Sequence, residues 1–547
     1  MRYDVVVIGS GAAGLAAALT AQLRGLSAVV VEKTDRYGGS SSLSGGAIWV
    51  PGNLYLDGTR LRDSREEART YLKSTVGDRV PEERREAYLE RGPEMVRFLH
   101  DRTRHVRFEY TPGYSDYYPE RPGGKALGRS VEPALFDLRK LGALRRIMRR
   151  AGLPTYGMVM NSREFHKVNM IVPTWRGKRM ALKIGLRAVW SLLSGARYAS
   201  LGEALVGRLS LALAEAGGKI LVNTPFEEFV VTDGRVTGVR AGGRTIEAGG
   251  GVILAAGGFS HSRPLRERYL PKPTDARWTS AAPGQTGDTI GAALGLGARL
   301  DLMDRVWGMP TAVPPGEAPV FLVTDRAVPG MVIVDSRGDR FVNEAVPYHE
   351  FVDTMYAKDA VHSWMVIDQR TKNRYIILNH FPGQPFKRSW LKSGFVKKAD
   401  TVEELAVRMG VAPGRLRRTV DRFNGFARQG RDEDFHRGES AYDRYYGDPT
   451  LPSPNLAELA KGPYYAIPIV PGDIGTKGGV VTDASARVLR EDGTPIEGLY
   501  AAGNVSAAVM GETYPGPGAT LGPAMTFGYV AATDIADRVR DFGATDV

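Results

Sequence analysis

The 547-residue sequence has no cysteine. That excludes disulfides, thiolate metal sites, a catalytic thiol and any cofactor tethered through cysteine sulfur, and it suits a reducing compartment. Only eight histidines occur, scattered and without H-E-x-x-H spacing, so no metal is expected. No run of about 18 apolar residues is present, so no transmembrane helix is expected. "MRYDVVVIG" opens directly on a strand with no basic and apolar leader before it, and a cytoplasmic location is expected. Acids are nearly missing from one stretch. Residues 138–197 hold fourteen Lys or Arg and one acid, Glu164, which accounts for the whole net charge of +12. Within it, "LRKLGALRRIMRRAG" and "KRMALKIGLRAVWSLL" have helical spacing. Two readings stand: a surface making peripheral contact with anionic lipid or another acidic partner, and a solvated helical insertion. No nucleic-acid partner is expected.

What is present begins with "YDVVVIGSGAAGLAAALTAQLRGLSAVVVEK". A buried strand, Val5 to Ile8, meets Gly9, Gly11 and Gly14 in G-x-G-x-x-G spacing, with Ser10 and Ala13 between them. An Ala-rich helix follows, then a second strand, Ala28 to Val31, ending in Glu32. Gly9 permits the tight turn, Gly11 lets backbone approach a pyrophosphate, and Gly14 allows close helix–strand packing. The helix N-terminus offers N–H groups to the phosphates. Glu32 can accept both hydroxyls of an adenosine ribose. A lone G-x-G-x-x-G is weak; strand, helix, second strand and terminal acid together are specific for a dinucleotide.

The next segment favours FAD over NAD. "KTDRYGGSSSLSGGAIWVPGN" opens on Lys33 and packs small residues into one loop: Gly39, Ser40, Ser41, Ser44, Gly45 and Gly46. Such residues let backbone and hydroxyls approach a second phosphate and a ribityl chain. Distant segments add strands to the same unit. "GGKILVNTPFEEFVVTDGRVTGVRA" has a D-G hairpin between Val231 and Val236. "GGVILAAGGFSHS" runs a buried strand into Ala256 and Gly257, and "IEGLYAAGNVS" runs another into Gly503 and Asn504. The expected fold class is α/β: a Rossmann-like FAD-binding domain, discontinuous in sequence, with an inserted α+β capping domain. Residues 1–281 and 462–547 form the first and residues 282–461 the second. The length alone favours two domains. With no cysteine and no histidine in the fingerprint loops, the FAD is expected to be non-covalent.

The arrangement resembles the fumarate reductase/succinate dehydrogenase flavoprotein family over nearly the whole chain. "VVEKTDRYGGSSSLSGGAIWVP", "YSDYYPERPGG", "GDRFVNEAVPY" and "TYPGPGATLGPAMTFGY" are similar more narrowly to 3-ketosteroid Δ1-dehydrogenases. "TKGGVVTD" matches the family's Thr-x-Gly-Gly turn on the flavin side. A dicarboxylate enzyme needs Arg and His donors, and that family's His-Pro-Thr segment is not evident. The site segments offer Tyr117, Tyr118, Tyr348 and Tyr514 instead, which fits a bulky neutral ketone.

Desaturation beside a ketone needs donors to the carbonyl oxygen, a base for the α-proton and a hydride acceptor. The Tyr514 phenol and the Gly518 N–H, in a turn stiffened by prolines, suit the carbonyl; the resemblance implies the same two roles. Ala519, Thr520 and Leu521 then start the terminal helix, whose free N–H groups can face the flavin pyrimidine. By resemblance, Tyr348 is the base and a tyrosine of "YSDYYP" its helper. Tyr118 is aligned to that role, with Tyr117 one register away. His349 adjoins Tyr348, but neighbours on an extended chain point apart. The expected activity is 1,2-desaturation of 3-ketosteroids, with electrons passed to an external acceptor such as a quinone. Action at the 4,5 position, or a fumarate-type 2-enoate reductase, are the alternatives.

Overall fold

The computed structural model describes residues 1–151 and 158–545. Part of the basic segment, 152–157, and the last two residues lie outside it.

The first strand, Arg2–Ile8, is the middle of a mixed sheet. Parallel partners lie on both sides: Ala28–Val31 and Arg244–Leu254. The order across the sheet is Arg487–Leu489, Pro495–Ala501, Arg244–Leu254, Arg2–Ile8, Ala28–Val31 and Lys219–Leu221. Three stretches far apart in sequence thus build one nucleotide-binding sheet. Strand periodicity of two divides its faces. Val5 and Val7 pack with the helix Ala12–Leu23 in one cluster, whereas Val6 and Ile8 pack with Val29, Val252 and Leu254 in another. The helix can lie close because its buried face is mostly alanine and Gly14. The terminal helix, Leu521–Thr545, packs on it through Gly528, where a Cβ would stand 2.5 Å from the Ala13 carbonyl oxygen.

The D-G hairpin forms as the sequence indicates. Thr232 pairs with Arg235, and Asp233 and Gly234 take φ of 50° and 76°, the positive values a two-residue type I′ turn requires.

A second sheet holds Val320–Phe321, Val306–Ala312, Tyr464–Thr476, Ser363–Asp368 and Met331–Val334, with Lys397–Ala399 beside the third of these. Its longest strand, Tyr464–Thr476, lies beyond the expected boundary at 461. The inserted unit therefore ends later than the sequence indicates: the alternating apolar run that reads as a return to the first sheet pairs with Val306–Ala312 and Ser363–Asp368 instead. "MVIVDSRGDRF" is a strand and a tight turn that returns through a single bridge, Val334 to Arg340, rather than a full hairpin.

In the basic segment, Trp175–Ser194 is a regular α-helix, capped by the Thr174 side chain at one end and by Gly195 in the left-handed region at the other. Leu138–Ile147 is not an amphipathic α-helix. It is tighter 3₁₀ structure interrupted at Gly142, whose φ of 54° breaks the helical path. Among the described residues no helix is long and apolar enough to cross a membrane.

Candidate active site

A cavity of ≈ 740 Å³ runs from the Gly9–Ala13 turn to the second sheet. Its first half is a cradle from which side chains have been removed. Gly9 has φ of 105°, and a Cβ there would stand 2.3 Å from the Ala255 oxygen; one on Gly14 would stand 2.0 Å from the Gly9 oxygen. Gly11 differs: its nearest neighbour would be Ser41 Oγ at 3.3 Å, so its open side faces the cavity. This is the division of labour a pyrophosphate-binding turn requires.

Glu32 is buried at the end of the second strand. Its carboxylate accepts from Ser10 Oγ at 2.5 Å and from the Thr34 N–H and hydroxyl at 3.0 and 2.8 Å. Lys33 also lines the cavity, and its ammonium donates to Thr286 and Asp288. Ser41 Oγ accepts from the Ala12 N–H, tying the serine-rich loop to the helix N-terminus. Ser40 Oγ accepts from the Ala282 N–H at 2.7 Å, and Ser44 Oγ from the Gly46 N–H at 3.0 Å. Gly39, Gly45, Ala256, Gly257, Gly503, Asn504, Thr520 and Leu521 all line this half. Gly14 and Ala519 do not line it; they act as packing positions beneath. Glycine turns, a buried carboxylate and a helix N-terminus fit FAD.

The second half is aromatic. Tyr514 is buried, and its oxygen lies 3.5 Å from Thr520 Oγ1. Its loop is fixed from every side. Tyr71 Oη and the Tyr117 N–H donate to the Pro515 carbonyl at 2.6 and 2.9 Å, and Ser130 Oγ donates to that of Pro517 at 2.6 Å. Gly518 has φ of 94°, and a Cβ there would stand 2.4 Å from the Ala47 oxygen. Gly518 lines the cavity together with Tyr514.

Tyr348 is the first residue of the helix Tyr348–Ala357, not part of an extended chain. The motif before it is rigid because Glu344, fully buried, accepts from Arg340 at 2.8 Å and from Arg437 at 3.2 Å. Asn343 ties the turn to Asp443 at 2.9 Å. The Tyr348 phenol accepts a 2.5 Å hydrogen bond from Tyr117. Burial pushes the Tyr348 phenol well above its ordinary value, and that of Tyr117 likewise.

The two candidates for the helper are placed differently. Tyr117, not Tyr118, meets Tyr348 and lines the cavity. Tyr118 is half-buried beneath Arg121, whose guanidinium lies 4.4 Å from its ring centroid. In that irregular loop Tyr117 is drawn inward by its own N–H bond to Pro515, which turns the next side chain out.

His349 does not line the cavity. Its Nε2–H donates to the Glu512 carbonyl at 2.5 Å, and burial keeps the imidazole neutral. Lys477 lies 3.2 Å from that nitrogen and donates to the Thr513 carbonyl at 2.7 Å. Its ammonium sits 4.4 Å over the Trp307 ring, which packs edge-on against Tyr514 at 4.9 Å. Sequence reasoning missed Trp307, and it passed over Lys477 as the unspecified position of the Thr-x-Gly-Gly turn. Tyr442, 4.9 Å from the Tyr117 ring, was also missed. No spacing rule marks any of the three, since each reaches the site from a different segment.

Cradle and aromatic chamber together define a flavoprotein oxidoreductase. A family model described as FAD binding domain matches residues 4–521. The 3-oxosteroid 1-dehydrogenase of Mycolicibacterium smegmatis is 49% identical over 98% of this chain and 97% of its own. The 4-oxocyclohex-2-ene-1-carboxylate 5-dehydrogenase of Sinomonas cyclohexanicum is 37% identical over 97% of this chain and 93% of its own. The crystal structure of 3-ketosteroid delta1-dehydrogenase from Sterolibacterium denitrificans, in complex with 1,4-androstadiene-3,17-dione, matches with a TM-score of 0.92. It is 43% identical and covers 98% of this chain and all of the other. The chain belongs to the 3-ketosteroid Δ1-dehydrogenases, within the fumarate reductase/succinate dehydrogenase flavoprotein family.

Proposed function

We propose that the chain desaturates the 1,2 bond of a 3-ketosteroid with FAD as oxidant, and that Tyr514, Gly518, Tyr348 and Tyr117 divide the work. The single observation that carries this reading is the clustering of three phenols on the cavity wall, Tyr117, Tyr348 and Tyr514, with ring centroids 5.0 to 5.4 Å apart and Gly518 lining the same cavity.

Tyr514 and Gly518 hold the ketone oxygen. As the α-proton leaves, charge grows on that oxygen, and two fixed donors in a dry site favour it. Tyr348 takes the α-proton. A buried phenol is a poor base until it is ionised, and the hydrogen bond from Tyr117 stabilises the phenolate. FAD, when bound, supplies the acceptor for the hydride from the adjacent carbon. Gly9, Gly11, Glu32 and the serine-rich loop would hold it non-covalently. Electrons then leave to an external acceptor of quinone type; the sequence has one dinucleotide fingerprint, and FAD uses it.

The shape of the chamber favours a steroid over a small keto acid. Beyond the phenols it is walled by Met309, Val323, Phe165, Ile376, Phe381 and Tyr446. The arginines on the cavity wall, Arg149 and Arg150, stand on the FAD side, bonded to Thr34 and Glu203. A carboxylate at the chamber's far end would be desolvated without a partner, which is costly.

The test is anaerobic titration of the yellow holoenzyme with androst-4-ene-3,17-dione, with product identified by mass. Bleaching of the flavin and a product two hydrogens lighter support the reading. No bleaching with this ketone, or bleaching only with a cyclohexanone carboxylate, defeats it.

A further inference from the structure

The helix Trp175–Ser194 is built the wrong way round for a surface helix. Its inward face is thin: Met180 and Ile184 join Met158, Met160, Phe165 and Ile376 in a small cluster. Arg187 clamps it there, donating to Glu164 at 2.6 Å and to the Val159 carbonyl at 2.7 Å. Its outward face carries Trp175, Leu182, Leu186, Val189, Trp190 and Leu193, all exposed, with Trp175 76% and Leu193 79% accessible. At 100° per residue, Trp175, Leu182, Leu186, Val189 and Leu193 form one stripe along the helix. Arg176, Lys178, Arg179 and Lys183 flank the stripe, all exposed. The helix has no acid, and the nearest, Glu164, is buried under Arg187.

We infer that this face lies in the surface of an anionic bilayer and that the enzyme draws its substrate from the lipid. Apolar side chains with tryptophans, edged by cations, match an interfacial helix. A second copy of the chain fits worse, because two such helices would bring like charges together. The position of the helix gives the contact a purpose. Met158, Met160, Phe165 and Ile376, which anchor its inner side, also line the cavity. The helix thus stands between the lipid and the chamber's apolar wall. An apolar ketone partitioned into the bilayer could reach the phenols along these side chains without crossing water. This inference rests on the ketosteroid reading for its substrate, but vesicle binding is measured without turnover.

The test uses the full-length holoenzyme and vesicles of phosphatidylcholine with or without phosphatidylglycerol. The holoenzyme is expected to sediment with the anionic vesicles and to be released by salt. A triple variant, Leu186→Asp, Trp190→Asp and Leu193→Asp, should lose at least about 100-fold in vesicle affinity, since three buried apolar side chains are given up. Its turnover of ketone supplied from cyclodextrin should match the parent, while turnover of ketone dissolved in vesicles should fall. Failure of the holoenzyme to sediment overturns the inference. So does a dimer in solution that the triple variant dissociates, because the face would then join two copies. Equal loss of turnover from both sources overturns the delivery route.

Discussion

The phenol of Tyr117 donates a 2.5 Å hydrogen bond to the phenol of Tyr348, across 231 residues of sequence. Neither phenol is ionised at rest, because burial holds both far above the ordinary value. The bond therefore matters most when Tyr348 becomes an anion, since a hydrogen bond to a charged oxygen is worth about 1.5–3 kcal/mol.

Tyr117→Phe should lower kcat/KM by roughly 10- to 150-fold, the rate equivalent of that bond. The ring still packs against Tyr442 and Tyr514. Tyr118→Phe should stay near the parent rate. Steady-state kinetics on both variants checks the register; equal losses would return the helper role to doubt.

The pH dependence follows from the Tyr348 phenol. Desolvation by burial raises it, ahead of the opposing bond from Tyr117. Only the phenolate can accept the α-proton. Below the raised pKa its fraction grows about tenfold per pH unit, so kcat/KM should climb with unit slope from about pH 7 to about pH 9. A flat profile over that range would mean another base.

Tyr514→Phe should retain FAD and fold while turnover drops by about 10²–10³, the usual loss for one donor to a developing oxyanion. Exchange of the α-proton with deuterated solvent should fall with it. Gly518→Ala should be worse. Its φ of 94° and the 2.4 Å approach of a Cβ to the Ala47 oxygen leave no room for a side chain. Normal turnover in Tyr514→Phe would reduce that phenol to packing.

Lys477 ties the Tyr514 loop to the helix of Tyr348. Lys477→Met should keep the FAD spectrum but lower kcat by about tenfold, through loss of the bond to Thr513. Burial lowers the Lys477 pKa below its ordinary 10.5, ahead of the Asp353 carboxylate that raises it. Between the lowered value and 10.5 the unfolded chain binds the extra proton, so folded stability rises with pH across that window. The methionine variant lacks this gain. Thermal unfolding against pH should show the parent gaining on the variant, by at most about 1.4 kcal/mol per pH unit; a constant gap would mean that Lys477 does not titrate there.

The nucleotide half was legible in the sequence. Gly9, Gly11, Gly14 and Glu32 are set by backbone sterics and strand period, which are local and therefore readable. The D-G turn and the start of the terminal helix at Leu521 are local in the same sense. The tyrosines were legible as a set because their motifs are distinctive. Which of Tyr117 and Tyr118 points inward was not, because an irregular loop has no period, and the Pro515 carbonyl, nearly four hundred residues away, decides it. The same holds for Trp307 and Lys477, which meet Tyr514 only when the second sheet closes over the first. The strand Tyr464–Thr476 read as part of the wrong sheet because alternation shows that a strand has two faces, not which partners it will find. The basic charge of Trp175–Ser194 was plain in the sequence. That its apolar stripe faces outward emerges from the fold, because no other element among the described residues packs over that side of the helix to bury it.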